Sequence, residues 1–292
     1  MLLVTQTDIL AETIGYPKTI ELLKNAGFDA MDLSLFTLLE PQGYWSGSDW
    51  REKAQALKAL AEAQGIGFRQ AHAPFPTTRG DREFDEMAFS RILRAMEIAS
   101  MVGAPCIVVH PVQHLSWVSN KKALFDASAA LYRKLIPWCE KWNIVVCTEN
   151  MWQWDTHRGV ITDSICSQPE EFRDLIDQVN SPWIRGCLDI GHCALVGVDP
   201  AEAIRTLGAH RLKALHVHDV DYRRDCHTMP YTQDLEWGSI TAALGEIGYT
   251  GEFTFEANIF IAKLPQPLWP TALKLMEETG RYLMTQVEAH KN

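Results

Sequence analysis

The sequence predicts an α/β fold, a single (β/α)8 barrel over residues 1–292 with a parallel eight-stranded core. Three observations predict it. Short apolar runs alternate strictly with helical stretches along the chain, the pattern of strands joined by crossover helices. Four of the runs are hydrophobic almost throughout, as in strands buried on both faces, and each ends in a carboxylate or an imidazole. The length of 292 residues is close to the roughly 250 of a barrel with modest insertions. An open nucleotide-binding sheet has less support, because neither GxGxxG nor GxxxxGK[ST] follows the first run.

The elements follow in order. MLLVTQT opens the chain, and a helix over residues 20–25 precedes GFDAMDLS. Helices over 49–64, 82–101 and 121–142 precede IGFRQAHAP, APCIVVHP and NIVVCTEN. Those over 169–179, 200–207 and 239–247 precede WIRGCLDIGH, LKALHVHD and EFTFEAN, and one over 270–290 closes the alternation. Spacing supports the helices: Leu57, Leu60 and Ala61, and likewise Ile92, Ala95, Met96 and Ala99, recur at three and four residues. Asp199-Pro200 fits a helix start, and Gly65, Gly103 and Gly248 fall between a helix and the next strand. Two long polar and aromatic connections, 36–48 and 218–238, are expected to overhang the carboxyl-terminal mouth. No linker, low-complexity tract or charge block marks a second domain.

Composition narrows the function classes. With 47% hydrophobic and 22% charged residues the chain has ample material for a large core. Its net charge is −10 and no Lys/Arg run exceeds two residues, so no nucleic-acid partner is expected. The N-terminus lacks the basic flank and apolar stretch of a signal peptide, and no segment approaches the roughly 18–20 apolar residues of a membrane span. A cytoplasmic protein with no membrane partner is expected. Seven cysteines, none in CxxC, with Cys106, Cys147 and Cys187 inside apolar runs, read as buried thiols rather than a disulfide frame. Cys193 and Cys226 lie nearer the candidate site but have no activating environment in the sequence.

The chemistry sits at the strand ends. IVVCTEN ends on Glu149, IRGCLDIGH on Asp189, LKALHVHD on His216 and FTFEAN on Glu256, at intervals of 40, 27 and 40 residues. The carboxyl ends of barrel strands are where such folds keep their active sites. One buried acid is ordinarily explained by an Arg or Lys partner or by helix capping. Three acids and an imidazole together repel unless a cation neutralises them, and few basic residues stand at these ends. One divalent metal ion is the economical answer, with Mn²⁺ preferred and Mg²⁺, Co²⁺ or Zn²⁺ also suited to three oxygens and a nitrogen. His72, His110 and His192 occupy the same strand-end register and are expected to line the pocket. His218 alternates with His216 across Val217 and points to the same face; either fits the ligand position, with His216 chosen and His218 kept as a substrate contact.

These residues carry a resemblance. HAPFP at 72, VVHP at 108, TEN at 148, LDIGH at 188, ALHVHD at 214, DCHTMP at 225 and FEAN at 255 resemble, in order, the motif series of the sugar phosphate isomerase/epimerase family. That family belongs to the xylose isomerase-like TIM barrel superfamily, which also contains endonuclease IV. The resemblance implies one divalent ion held by Glu149, Asp189, His216 and Glu256. It implies further that Glu149 and Glu256 flank a sugar and serve as base and acid. A proton on carbon beside a carbonyl becomes acidic when a Lewis acid stabilises the enediolate. Its return to the same carbon from the other face inverts that carbon, and return to the neighbour interconverts ketose and aldose. His192 matches a substrate-binding histidine of the family. Asp155 stands where ketose epimerases carry a further glutamate. Arg158, Arg223 and Arg224 are candidates for a phosphate or carboxylate, His227 for a substrate contact, and Trp152, with Trp154 and Trp237, for a wall against a sugar's apolar face.

The chain departs from its relatives where it reads DLEWGS from Asp234 rather than Gly-Glu-Gly, so the pocket loop differs. A rival reading uses His72, His110, Glu149, Asp189, His192, His216, Asp225, His227 and Glu256, which also resemble the three-zinc ligands of endonuclease IV, a phosphodiesterase of abasic DNA. A metal-dependent lyase or dehydratase on a keto-sugar or cyclitol would use the same proton abstraction. A binding protein that has lost catalysis fits an intact ligand set poorly. A small-molecule sugar partner is expected, with a homo-oligomer possible.

Overall fold

The computed structural model describes residues 1–291; residue 292 of the expected domain lies outside the described residues. Five strands come first: β1 (Leu3–Gln6), β2 (Ala30–Ser34), β3 (Gly67–His72), β4 (Cys106–Val108) and β5 (Val145–Glu149). A hairpin, β6 (Trp152–Asp155) and β7 (Val160–Asp163), precedes β8 (Ile184–Asp189), β9 (Leu212–His216) and β10 (Phe253–Phe255). Leaving the hairpin aside, eight strands pair in the order β10-β1-β2-β3-β4-β5-β8-β9, every ladder parallel. The ring closes between β9 and β10 through a parallel bridge from Val217 to Phe255. There the Val217 amide donates to Thr254 O at 2.9 Å and the Glu256 amide to Val217 O at 3.1 Å. The fold is a (β/α)8 TIM barrel, as expected.

Helices α1 (Asp8–Ala26), α2 (Trp50–Ala63), α3 (Arg82–Val102), α4 (Trp117–Trp142) and α5 (Pro169–Val179) form the first part of the outer ring. α6 (Ile190–Leu195), α7 (Pro200–Leu207), α8 (Trp237–Glu246), α9 (Asn258–Ala262) and α10 (Trp269–Ala289) follow. Local chemistry sets the ends: Asp81 caps α3 by accepting from Phe84 N, and Asp199 caps α7, with Pro200 in its first turn, by accepting from Ala201 N. Gly103 closes α3 at φ +90°, the left-handed conformation that glycine adopts without strain.

Strict one-to-one alternation needs correction in three places. α1 begins at Asp8 rather than near residue 20; Gly15 at φ +75° and Pro17 kink it, and the kink interrupts the helical period. α6 and α9 are short helices set directly after β8 and β10, where the chain turns at once from strand end to helix. The β6–β7 hairpin is the third addition. Trp152-Gln153-Trp154-Asp155 does alternate apolar and polar residues, but each strand is only four residues long and its side chains are mostly half-buried or exposed. No helix among the described residues is long and apolar enough to cross a membrane.

The interior is layered. Cys106, Val108, Cys147, Cys187 and Ala214 form their own small cluster within the ring, so the three thiols are filling material. Above them lies a polar layer in which Gln70 Nε2 donates to Asp32 Oδ2 at 3.0 Å and Thr254 Oγ1 to Gln70 Oε1 at 3.2 Å. Burial pushes the Asp32 carboxyl up to about 6. The strand-end acids and imidazoles form the top layer. Outside the ring, α10 lies so close to the sheet that a Cβ on Gly280 would fall 2.5 Å from Leu3 Cδ1 and 2.8 Å from Phe255 Cε2. Gly280→Ala is therefore expected to destabilise the fold by about 1–3 kcal/mol through overpacking, measured as a lower urea midpoint. An unchanged midpoint would show that α10 can retreat from β1 and β10.

Candidate metal centre and active site

Glu149, Asp189, His216 and Glu256 each offer one ligand atom, and the four atoms lie within 4.8 Å of one another. All four residues are buried. His216 stands at the centre, its Nδ1 2.9 Å from Glu149 Oε1, 3.0 Å from Glu256 Oε2 and 3.9 Å from Asp189 Oδ2. Among the described residues no Lys or Arg pairs with these acids; every ionic partner they have is a histidine.

Such an arrangement is electrostatically costly. Burial pushes the Glu149 carboxyl up, but the His216 cation and hydrogen bonds from His110, His216 and His72 outweigh it and hold Glu149 well below the usual range. Glu256 shows the same balance: burial raises it, and the His216 and His227 cations bring it below its ordinary value. Burial would depress His216, yet the surrounding negative charges raise it well above a free imidazole. A proton on His216 thus does the neutralising that a metal ion would do. The set fits a divalent ion: three oxygen donors and one nitrogen converge in one buried space.

Two further clusters adjoin the first. His72, His110 and Glu149 form one. There His72 Nδ1 faces Ala73 O at 2.8 Å, leaving its Nε2 3.2 Å from His110 Nε2 and 3.6 Å from Glu149 Oε2. His110 Nε2 lies 3.1 Å from that same oxygen. The other cluster joins His192, His218, Asp225 and His227. Asp189 caps α6 by accepting from the His192 amide at 2.7 Å, and His192 sets its Nδ1 2.8 Å from Asn150 O. Its Nε2 faces Asp225 at 3.4 Å. Burial would lower His192, but Asp189 and Asp225 raise it well above normal. His227, opposed by burial and favoured by Glu256 and Asp225, is raised to about 10.

His216 and His218 take different places. His216 joins the three acids, while His218 presents Nε2 to Asp189 from another side, 3.0 Å from each oxygen. Gly191 makes this possible, since a Cβ there would fall 2.1 Å from His218 Cε1. His218 also stacks on His227 at 4.2 Å and 8°.

A cavity of about 610 Å³ opens above the cluster, lined by His72, His110, Glu149, Trp152, His192, His227 and Glu256 among others. Trp152 donates its indole N–H to Asp225 Oδ2 at 3.1 Å; Trp154 stands at the rim, 55% exposed. Three expectations are corrected. Asp155 is outside the cavity lining, because its carboxylate accepts from the His157 and Arg158 amides and from Arg158 Nε, organising the hairpin turn. Arg223 is exposed in a turn whose amides bind Asp221, and Arg224 pairs with Asp221. Trp237 is buried and donates to Asp219.

Comparison with known proteins places the fold. Residues 20–279 match the xylose isomerase-like TIM barrel family. The chain belongs to that family. Over 99% of both chains it superposes on a D-tagatose 3-epimerase-like protein at TM-score 0.76 and 19% identity. A D-psicose 3-epimerase from Clostridium cellulolyticum H10, solved with D-tagatose, gives TM-score 0.76 and 18% identity over 97% of this chain and 99% of that one. At these identities the likeness shows the fold alone. A probable endonuclease 4 of Metamycoplasma arthritidis is 29% identical over 121 residues, 41% of this chain and 40% of that protein. The chain spans about half the length of the curated relatives it matches.

Strand-end reasoning missed part of the wall. Gln6, Asp8, Gln113 and Asn258 also line the cavity. Gln6 is the end residue of β1 and answers to the same strand-end rule; Asp8 follows that strand and resembles an ordinary acid in a helix's first turn. Burial, offset only by hydrogen bonds, pushes the Asp8 carboxyl up from 3.8 to about 6. The folded state therefore holds this proton more tightly than the unfolded state. Between about pH 4 and 6 Asp8 removes stability as pH rises. Asp8→Asn is expected to stabilise the protein by about 1–3 kcal/mol at pH 8, with the gain fading toward pH 4. Thermal melts across that range test it, and a pH-independent difference would contradict the assignment.

Proposed function

We propose that the chain is a divalent-metal-dependent sugar isomerase or epimerase that moves a proton at carbon next to a carbonyl. One observation carries this reading: the four-residue donor set of Glu149, Asp189, His216 and Glu256 forms the floor of a cavity wide enough for a small sugar. The superposition on ketose 3-epimerases supports it. A carboxylate-rich set favours a fairly hard ion, with Mn²⁺ preferred. When bound, the ion supplies Lewis-acid polarisation of adjacent substrate oxygens.

The chain's own groups supply the rest. Glu149 and Glu256 are both ionised, so each is competent to accept a proton from carbon. They stand three strands apart round the ring, on β5 and just past β10, and present carboxylates from two directions to the same space. Gln6 Nε2 donates to Glu256 Oε1 and fixes that carboxylate. His110 and His72 flank Glu149 Oε2 and orient the other. His192, anchored on Asn150 O, and Trp152, anchored on Asp225, shape the wall beside them. General acid–base transfer of this kind contributes about 10²–10⁴-fold.

The substrate is unphosphorylated in this reading. No Lys or Arg lines the cavity among the described residues, and Arg158 and Arg224 are engaged by Asp155 and Asp221. Four buried side-chain oxygens of the wall, on Gln6, Asp8, Gln113 and Asn258, have no partner. These are acceptors, and sugar hydroxyls are donors.

A three-metal phosphodiesterase like endonuclease IV is the second reading, favoured by the two clusters that adjoin Glu149 and Asp189. Against it stands the net charge of −10, which opposes DNA. Metal analysis of the purified protein is expected to give one dominant ion per chain; three zinc ions together with cleavage of an abasic-site oligonucleotide would transfer the assignment. Glu256→Gln is expected to reduce solvent-deuterium incorporation into a ketose at least 10²-fold while the circular-dichroism spectrum stays that of the wild type. Persisting exchange would remove Glu256 from the acid–base pair.

A further inference from the structure

Outside the metal floor, the cavity wall carries an unbalanced group. Asp8 lies just beyond β1, on the border between the main cavity of about 610 Å³ and a neighbouring one of about 300 Å³. Its Oδ2 accepts from Asn258 Nδ2, while Oδ1 is buried without a partner. Among the described residues no cation compensates it; the charges that bear on its titration are Glu256 and Glu12, both acidic. Asn258 Oδ1 and Gln6 Oε1, on the same wall, are also buried and unpartnered. Three unpartnered acceptor oxygens thus belong to residues that line this pocket: Gln6, tied to Glu256, and Asp8 and Asn258, tied to each other.

Buried acceptors without donors are destabilising. A core position would relieve the cost by exchanging Asp8 for a neutral or apolar residue. Sites that keep such a group commonly use it, at the expense of stability. What these oxygens lack is a set of O–H donors spaced along a chain of carbons.

We propose that Asp8, held by Asn258, is the specificity determinant of the pocket: it accepts a hydrogen bond from a hydroxyl of the bound polyol on carbon atoms remote from the reacting pair. The inference rests on the sugar reading above and adds to it the residue that selects the sugar's far end. A site built to bond a hydroxyl rejects the analogue lacking it, because the protein acceptor is then left buried and unpaired. Asn258 is a positioning residue. Its amide holds Asp8 Oδ2.

The test uses the metal-loaded full chain with D-fructose, D-tagatose and D-psicose and their terminal deoxy analogues, scored by solvent-deuterium incorporation. With whichever ketose exchanges, Asp8→Ala is expected to raise KM about tenfold to a hundredfold and to change kcat less than about threefold. The wild type's preference for that ketose over its deoxy analogue, about tenfold or more, is expected to vanish in Asp8→Ala. Asp8→Asn, which keeps an acceptor for Asn258, is expected to fall between the two, and its melting temperature at pH 8 reports that the fold is intact. An unchanged KM, a retained preference, or a loss confined to kcat overturns the inference alone. Absence of exchange by the wild type on every ketose overturns the sugar reading, and this inference falls with it.

Discussion

Three carboxylates brought together in a buried space, with no Lys or Arg beside them among the described residues, are the constraint on which the site depends. Each of Glu149, Asp189 and Glu256 is supplied by a different stretch of the ring, and the ring holds them together by main-chain ladders whose energy does not depend on the charges. The closing contact matters most. Val217 bridges to Phe255, and the two residues flanking that bridge, His216 and Glu256, are thereby set side by side. A barrel that failed to close there would separate the only central imidazole from one of its acids. Closure relieves the repulsion that convergence creates, and the remainder is what a divalent ion is suited to neutralise.

Much of this was legible in the sequence. A strand buried on both faces must be apolar along its length, so a polar residue that terminates the run is conspicuous; Glu149, Asp189, His216 and Glu256 all announced themselves in this way. Asp199-Pro200 and Gly103 did the same for helix ends, because caps are local chemistry. What was not legible is non-local. Asp8 meets Asn258 across 250 residues, and nothing beside either residue marks the pairing. Asp155 shows the opposite failure: its position in the chain resembled a substrate contact, but two amides and an arginine within three residues claim it first. Local hydrogen bonding outcompeted the long-range role, as it commonly does for short acidic side chains in turns.

The histidines divide by what their second nitrogen does. His72 faces Ala73 O and His192 faces Asn150 O, each through Nδ1, so backbone carbonyls orient both rings and leave Nε2 toward the cavity. His216 is oriented the other way, with Nδ1 among the acids and Nε2 buried without a partner. Burial lowers the pKa of His110 more than Glu149 raises it, so it is neutral beside a carboxylate. His192 and His227, facing Asp225, are raised. His110 is thus neutral beside Glu149, while His192 and His227 are cationic beside Asp225. The cationic pair binds Asp225 in ion pairs.

That asymmetry bears on the competing metal counts. Asp225 is held well below the usual carboxylate range because, against the opposing effect of burial, His192 and His227 pair with it. The second cluster is therefore close to charge-balanced by its own protons. The central one has three acids for one imidazole, and its net negative charge persists even when His216 is protonated. A cation gains most where protonation has achieved least, so in the proposed reading the first ion belongs to Glu149, Asp189, His216 and Glu256. Any ion at the Asp225 cluster must displace protons from imidazoles raised well above pH 7, which makes occupancy there increasingly unfavourable as pH falls. The same charge arithmetic leaves the β1 wall without cations, where Asp8 and its unpartnered neighbours suit the hydroxyls of an uncharged polyol better than a phosphate.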